Sequence, residues 1–199
     1  MQIFDAEATR RALPFERLVP ALRAVFVEGA EVPRRHVHEL AVPGGAPVTS
    51  LLMPAWLPGR FYAVKIVNVA PGNAALGLPG LHANVLLYDG RTGRPLALID
   101  GDVVTARRTA AASALAASFL ARADARRLLV VGAGRVAALL PAAHRAVRPV
   151  AEVQVWARRR DAAAALVAGL RDEGFDATVA DDLAAACARA DIVSCATLA

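Results

Sequence analysis

The stretch Leu128-Leu129-Val130-Val131-Gly132-Ala133-Gly134-Arg135-Val136-Ala137 decides the fold. An apolar run is followed by two glycines and then by an alanine-rich segment with helical character. That order is a buried strand, a tight turn and a helix N-terminus. The first N–H groups of a helix have no partner within it, and the helix dipole places positive charge there, so the turn attracts phosphate. Gly132 permits the turn, and Gly134 lets a backbone approach a pyrophosphate with no Cβ between them. Ala137 takes the third small position of a G-x-G-x-x-G/A pattern, where the helix lies against its strand. The pattern alone also fits ordinary close packing, so its surroundings matter.

Downstream, the chain alternates. Strands are predicted at Leu128–Val131, Glu152–Trp156, Ala177–Val179 and Asp191–Cys195, with helices at about 134–147, 160–172 and 182–189. Such alternation means βαβ units and a parallel sheet. Pro141 falls inside the first of these helices and is expected to kink it. In a doubly wound sheet of order 3-2-1-4-5-6, the cofactor crosses between strands 1 and 4. Residue 199 follows the fourth strand, so the chain reads as a fragment of such a sheet rather than a short variant.

Upstream, Met1–Phe4 reads as a short strand and Asp5 as a helix cap. Leu18, Leu22, Val25 and Phe26 lie at helical spacing. Strand-like runs follow at His36–Val42, Val48–Pro54, Phe61–Val69 and Ala83–Tyr88. Residues 86–99 read as a hairpin with a glycine-rich turn. Val103 to about Arg122 is a helix rich in small residues. The fold class is therefore α/β: an N-terminal α+β domain over 1–108, then a partial Rossmann domain over 109–199.

Composition excludes several classes. The net charge is +5, but the arginines are dispersed and no aromatic residues interleave with them to stack on bases, so nucleic acid is not an expected partner. No apolar run has transmembrane length, and Met1–Arg11 is charged. A cytoplasmic protein is expected, with no membrane partner. Cys187 and Cys195 read as reduced core thiols. His36 and His38 share a strand face without a third ligand at metal spacing, so no metal is expected. His144 reads as a residue on a helix surface.

Of the 23 basic residues, all but Lys65 are arginine. Lysine offers a compact charge and a pKa that responds to burial, which arginine does not. Lys65 sits in the apolar run Ala63-Val64-Lys65-Ile66-Val67, where it either snorkels outward or enters a pocket. Arg35, Lys65 and Arg108 lie on separate segments, and three converging cations would make a carboxylate site. At the end of the second Rossmann strand, an acid normally holds the ribose 2′-OH about 20 residues beyond the glycines. Here Trp156-Ala157-Arg158-Arg159-Arg160 stands in that place. Arg158 and its neighbours suit a 2′-phosphate, so NADP is favoured over NAD; a solvated basic loop is the alternative.

Several longer motifs resemble the ornithine cyclodeaminase/mu-crystallin family. They are Lys65-Ile66-Val67-Asn68-Val69 with Pro71 and Asn73, Leu78–Ala83, Leu96–Gly101 and Thr105–Ala111, then Val131–Gly134, Val155–Arg158 and Ala190–Ala199. The resemblance implies a substrate and dimerisation domain followed by a Rossmann domain, a homodimer, and bound NAD(H) or NADP(H). It assigns Arg35, Lys65 and Arg108 to the substrate carboxylate, with Arg34 adjacent to the first. It sets His82 near the pocket, Thr109 near the cofactor phosphates and Thr197 near the nicotinamide. The turn Gly132, Ala133, Gly134, Arg135 and Val136, with Arg158, completes the candidate cofactor set. Lys65 is also the candidate catalytic residue. The family usually has Gln-Ala where this chain has Val136-Ala137, and its acid/base aspartate falls beyond residue 199.

The implied chemistry is hydride transfer at a carbon bearing nitrogen, on a small amino or imino acid. Reduction of a cyclic imino acid of the Δ1-pyrroline-2-carboxylate type is the leading expectation, because the basic strand end favours NADP. Cyclodeamination of L-ornithine to proline and ammonia is the alternative. A non-catalytic NADP-binding protein or an inactive fragment is the third.

Overall fold

The computed structural model describes residues 1–197; Leu198 and Ala199, the end of the last family-like motif, lie outside the described residues. The chain divides into two units. The first comprises residues 1–13 and 24–105, and the second residues 14–23 and 106–199.

In the first unit, β1 (Gln2–Phe4) leads to α1 (Ala6–Ala12), whose N-terminus is capped by the Asp5 carboxylate accepting from Ala8 N at 2.7 Å. Strands β2 (His36–Leu40), β3 (Val48–Leu57), β4 (Phe61–Val69), β5 (Leu81–Asp89) and β6 (Pro95–Asp100) follow. They form a six-stranded sheet of order β1-β6-β5-β4-β3-β2. All neighbours are antiparallel except β1, which pairs parallel to β6. The predicted hairpin is β5–β6, and its turn is tied by Asp89, which accepts from the backbone N–H groups of Arg91 and Thr92 and from the Thr92 hydroxyl. A 3-10 helix (Pro71–Leu76) joins β4 to β5.

Residues directly opposite in adjacent strands share a sheet face. Buried Val67, Ala83 and Ala97 lie on the face that carries Lys65. The other face carries Trp56, Tyr62 and Tyr88 in one row. Tyr62 and Tyr88 stack with centroids 5.4 Å apart, and Trp56 meets Tyr62 edge-on.

The second unit is built on a parallel sheet. Strands β7 (Arg127–Val131), β8 (Glu152–Trp156), β9 (Asp176–Val179) and β10 (Ile192–Cys195) stand in the order β10-β7-β8-β9. This is the predicted 3-2-1-4 half of a doubly wound sheet. Helices α4 (Arg135–Arg145), α5 (Arg160–Asp172) and α6 (Leu183–Arg189) connect the strands. Helix α4 runs continuously through Pro141, which is buried. The core packs Leu128, Val130, Val153 and Val155 against Ala137 and Leu140 of α4 and Val167 and Leu170 of α5.

Two further helices complete that core. Helix α2 (Phe15–Glu28) buries Phe15 and Val19, with Leu18 and Leu22 packed beside them, whereas Val25 and Phe26 are exposed. The long α3 (Gly101–Leu120) contributes Ala110, Ala111 and Ala114, each fully buried. Its small residues let the helix backbone approach the sheet closely. At its end, the Arg148 guanidinium donates to the carbonyls of Ser118 (2.6 Å) and Ala121 (3.0 Å), satisfying terminal acceptors that the helix leaves open.

Three sequence expectations are corrected. His144 is not on a surface: it is 1% exposed, on the α4 face shared with Ala137, Leu140 and Ala143. Its Nδ1–H donates to the Leu140 carbonyl at 2.8 Å. Cys187 and Cys195 are not core thiols but exposed. Helix α6 buries Ala186 instead. On the edge strand β10, Ser194 points inward while Val193 and Cys195 point outward.

Asp191 ties the base of the sheet together. Its carboxylate accepts from the backbone N–H groups of Arg126 (3.0 Å) and Arg127 (2.9 Å) and pairs with the guanidinium groups of Arg127 and Arg122. The Arg127 side-chain bonds, followed by the two backbone bonds, hold its pKa well below the usual carboxylate range. A depressed carboxylate contributes stability above its unfolded pKa of about 4 and loses it as the pH falls below that value. His144 is shifted downward by burial, with the Leu140 hydrogen bond partly opposing the shift. Unfolded chains therefore bind a proton at His144 below about pH 6.5 that the folded protein refuses, so stability falls as the pH drops through that range. Asp191→Asn is expected to lower Tm by several degrees at pH 7 and to flatten the loss of Tm below about pH 4. His144→Gln is expected to reduce the difference in Tm between pH 7.5 and pH 5. Thermal unfolding across a pH series measures both.

Candidate functional site

The C-terminal ends of the parallel strands carry the site. Gly132 follows β7 with φ of +124°, a region that L side chains rarely adopt. Its N–H donates to the Trp156 carbonyl at 2.8 Å, and Ala196 N–H donates to the Val131 carbonyl at 2.8 Å. The turn is thus held between the ends of β8 and β10. A Cβ on Gly132 would stand 2.4 Å from the Ala196 carbonyl oxygen. Gly134 is different: a Cβ there would meet nothing within 4 Å. Gly134 is also the N-cap of α4, and no side chain caps it. The helix N-terminus therefore opens onto free space with its N–H groups available.

That space is a cleft of about 1020 Å³, lined by Gly132, Ala133, Gly134, Trp156, Arg158 and Thr197 among others. It brings together five of the sequence-predicted cofactor residues. Three others, Thr109, Arg135 and Val136, are not among its lining residues. Val136 packs against the hydrophobic core, and Arg135 opens α4 with an exposed side chain.

Thr109 lies on α3, and a hydroxyl pair sets its height. Ser113 Oγ and Ser194 Oγ are 3.0 Å apart. One helical turn back from Ser113, about 6 Å, is Thr109; two residues on from Ser194, about 6.6 Å, is Ala196. The C-terminus of α3 meets Arg148 below the start of β8, so its N-terminal half points toward the strand ends that form the cleft. Thr109 therefore stands at the level of Ala196 and the glycine turn.

At the end of β8, the three arginines are not equivalent. Arg160 pairs with Asp181, with Nε and a terminal nitrogen 2.9 and 2.8 Å from the same oxygen. Arg159 lies 4.0 Å from Asp161. Arg158 lines the cleft and pairs with no carboxylate among the described residues. Arg159 and Arg160 also open α5 without a side-chain cap, where cations oppose the helix dipole. An anion in the cleft would relieve that conflict.

The remaining candidates belong to other places. Lys65 is half-buried on β4, opposite Met53 of β3 and Val85 of β5. Arg35 is exposed and precedes β2, whose register begins His36↔Leu52. That register does not continue upstream: the isolated bridge Glu31↔Trp56 is one residue out of step with it, and Arg34 and Arg35 lie in the stretch between. His82 is opposite Asn68, so it lies on the sheet face away from Lys65. Arg108 is exposed on the part of α3 that belongs to the second unit. Among the described residues, no three His, Cys, Asp or Glu side chains converge, and no helix is long and apolar enough to cross a membrane.

Sequence reasoning did not single out Trp156 and Ala196 as site residues. Both close parallel strands at the end where such sheets bind ligands, and that position was the available signal.

The parallel order β10-β7-β8-β9 with a glycine turn at its crevice defines a Rossmann-type protein. More narrowly, the chain belongs to the ornithine cyclodeaminase/mu-crystallin family, whose model matches residues 40–199. It is 43% identical over 195 residues to the Δ1-pyrroline-2-carboxylate reductase of Paracoccus denitrificans, covering 97% of this chain and 60% of that protein. Among solved structures it resembles the Thermococcus litoralis Δ1-pyrroline-2-carboxylate reductase in complex with NADH and L-proline. There the TM-score is 0.88 at 30% identity, covering 100% of this chain and 62% of the other. It also resembles an archaeal alanine dehydrogenase dimer with bound NAD, with a TM-score of 0.82 at 30% identity, covering 99% and 60%. The chain thus spans about three fifths of the length of these relatives.

The two glycines should respond differently to a methyl group. Gly132→Ala combines a disfavoured φ with a clash at Ala196, a cost on the order of 1–3 kcal/mol from backbone strain alone, and Tm is expected to fall. Gly134→Ala meets no neighbour, and Tm is expected to stay within about a degree of the parent. Differential scanning calorimetry of the two variants checks the contrast.

Proposed function

We propose that this chain carries the dinucleotide site and part of the substrate site of a reductase acting on a cyclic imino acid of the Δ1-pyrroline-2-carboxylate type. The single observation that carries the cofactor half is the uncapped α4 N-terminus behind Gly132 and Gly134, opening into a cleft with Arg158. Gly132, Ala133 and Gly134 would hold the pyrophosphate, and Thr197 would face the nicotinamide. When bound, the dinucleotide supplies the hydride that reduces the imine carbon. The resemblance to reductases at 43% and 30% identity supports this substrate class.

We infer NADP rather than NAD. No acid stands at the end of β8 to hold a ribose 2′-OH. Asp181 and Asp161 engage Arg160 and Arg159, which leaves the Arg158 guanidinium to meet a 2′-phosphate with paired donors.

For the substrate, Arg35 and Lys65 are the first unit's cations for a carboxylate. The Lys65 ammonium is the donor we assign to the imine nitrogen, which must gain a proton as the carbon gains hydride. Holding the carboxylate fixes the imine carbon in one orientation and removes entropy from the barrier. Arg108, which the family resemblance assigns to the same ligand, belongs to the second unit. His82 is on the face away from Lys65, and we do not give it a substrate role.

The same reading includes a homodimer. The row Trp56–Tyr62–Tyr88, on the sheet face away from Lys65, is the candidate surface, and the dimeric alanine dehydrogenase neighbour supports the state. A cytoplasmic setting, with Cys187 and Cys195 as free thiols, belongs to it too.

Trp156 lines the cleft, so titration with NADPH is expected to quench its fluorescence. Arg158→Ala is expected to weaken NADPH about tenfold or more and to leave NADH nearly unchanged. Gly134→Ala should weaken both. Oxidation of NADPH with Δ1-pyrroline-2-carboxylate completes the assay, and sedimentation of the same sample reads the dimer. Ammonia and proline formed from ornithine with catalytic NAD⁺ would make the protein a cyclodeaminase instead. Tight NADPH binding without turnover would make it a binding protein.

A further inference from the structure

We propose that Ser113 and Ser194 are positioning residues for the pyrophosphate end of the cofactor site. The proposal rests on the dinucleotide reading above. Their hydroxyls, 3.0 Å apart, form a side-chain hydrogen bond that joins α3 to β10. Apart from Leu115, the buried residues of α3 around Ser113 are alanines, whose small methyl contacts resist sliding along a helix axis only weakly. Ser194 is buried (7% exposed), so its hydroxyl depends on a protein partner. A hydroxyl pair is directional where methyl contacts are not, and it fixes the height of the helix against the strand.

That height matters at the cleft. Thr109 lies one turn above Ser113, and Ala196 and Thr197 lie two and three residues beyond Ser194. The Ala196 carbonyl is the atom that confines Gly132, and Thr197 Cγ2 would be 3.6 Å from a Cβ there. Sliding α3 along β10 would therefore move Thr109 relative to the glycine turn and Thr197. The adenosine end of the cleft is built differently. Trp156 ends β8, Arg158 lies in the loop after it and Ala162 is on α5, so none of the three is carried by α3 or β10. The hydrogen bond thus sets the pyrophosphate end and leaves the 2′-phosphate end alone.

The test uses the intact chain and two probes, NADPH and 2′-AMP. The latter carries adenosine and a 2′-phosphate but no pyrophosphate. Ser113→Ala and Ser194→Ala are each expected to raise the NADPH Kd about three- to tenfold. The double variant should be no weaker than the worse single variant, because either change removes the same bond. Affinity for 2′-AMP should not move. Ser194→Thr keeps the hydroxyl on a strand that favours branched residues, and it should retain most of the NADPH affinity. Ser118→Ala is the control: that hydroxyl donates to Leu115 within its own helix at 2.7 Å, and its loss should leave both affinities unchanged.

Unchanged NADPH affinity in both serine variants would overturn the proposal. So would parallel losses for NADPH and 2′-AMP that follow the fall in Tm, since those would mark a purely structural bond. Failure of the parent chain to bind either probe would instead remove the cofactor reading on which the proposal stands.

Discussion

The carbonyl of Ala196 presses so closely on Gly132 that no side chain fits between them. Much of the second unit follows from that contact. It requires β10 beside β7, and hence the crossover from β9 through α6 to the far side of the first strand. It requires glycine at a positive φ, which turns the chain sharply from β7 into α4. It leaves the N-terminus of α4 facing the crevice, where its N–H groups have only solvent or a ligand to meet. Because Gly132 N–H also bonds the end of β8, the turn is tied to both neighbouring strands at once. The two glycines then divide the work: the first is confined by protein, and the second borders open space.

The second unit was largely legible in the sequence because each βαβ step announces itself locally. Short apolar runs such as Leu128–Val131 alternate with alanine-rich helices, and the two periods differ. The order of the strands followed from the rules of crossover connections. The hairpin at 86–99 was equally readable from its turn residues. Other features depend on tertiary contacts that have no local signature. Phe15 and Val19 read as an ordinary helix face, and nothing nearby announces that residues 14–23 belong with the second unit. His144 looks like a polar surface residue until the α4 face that buries it is known. Cys195 looks like core because its strand is apolar, yet an edge strand exposes alternate residues.

The candidate site was legible to different degrees. Gly132, Gly134 and Arg158 were found from a motif and a strand end, and they line one cleft. The engagement of Arg160 by Asp181 was invisible, because it depends on where the loop after β9 returns. Lys65 stood out by composition, as the single lysine. Parity along paired strands then sorts its neighbours, with Met53 and Val85 on its face and His82 on the other. Spacing along one strand carries no such information until the register between strands is known.

The order in which the strands are made adds a consequence. Among the described residues, the strand that confines Gly132 is the fourth of its sheet along the chain, paired with the first. During synthesis the glycine turn emerges early but stays open until β10 arrives and inserts its carbonyl. Long sequence separation between paired strands slows such closure, because a large loop must be drawn in before the contact rewards it. The glycine turn is therefore confined only after β8, β9 and the helices between them have been made.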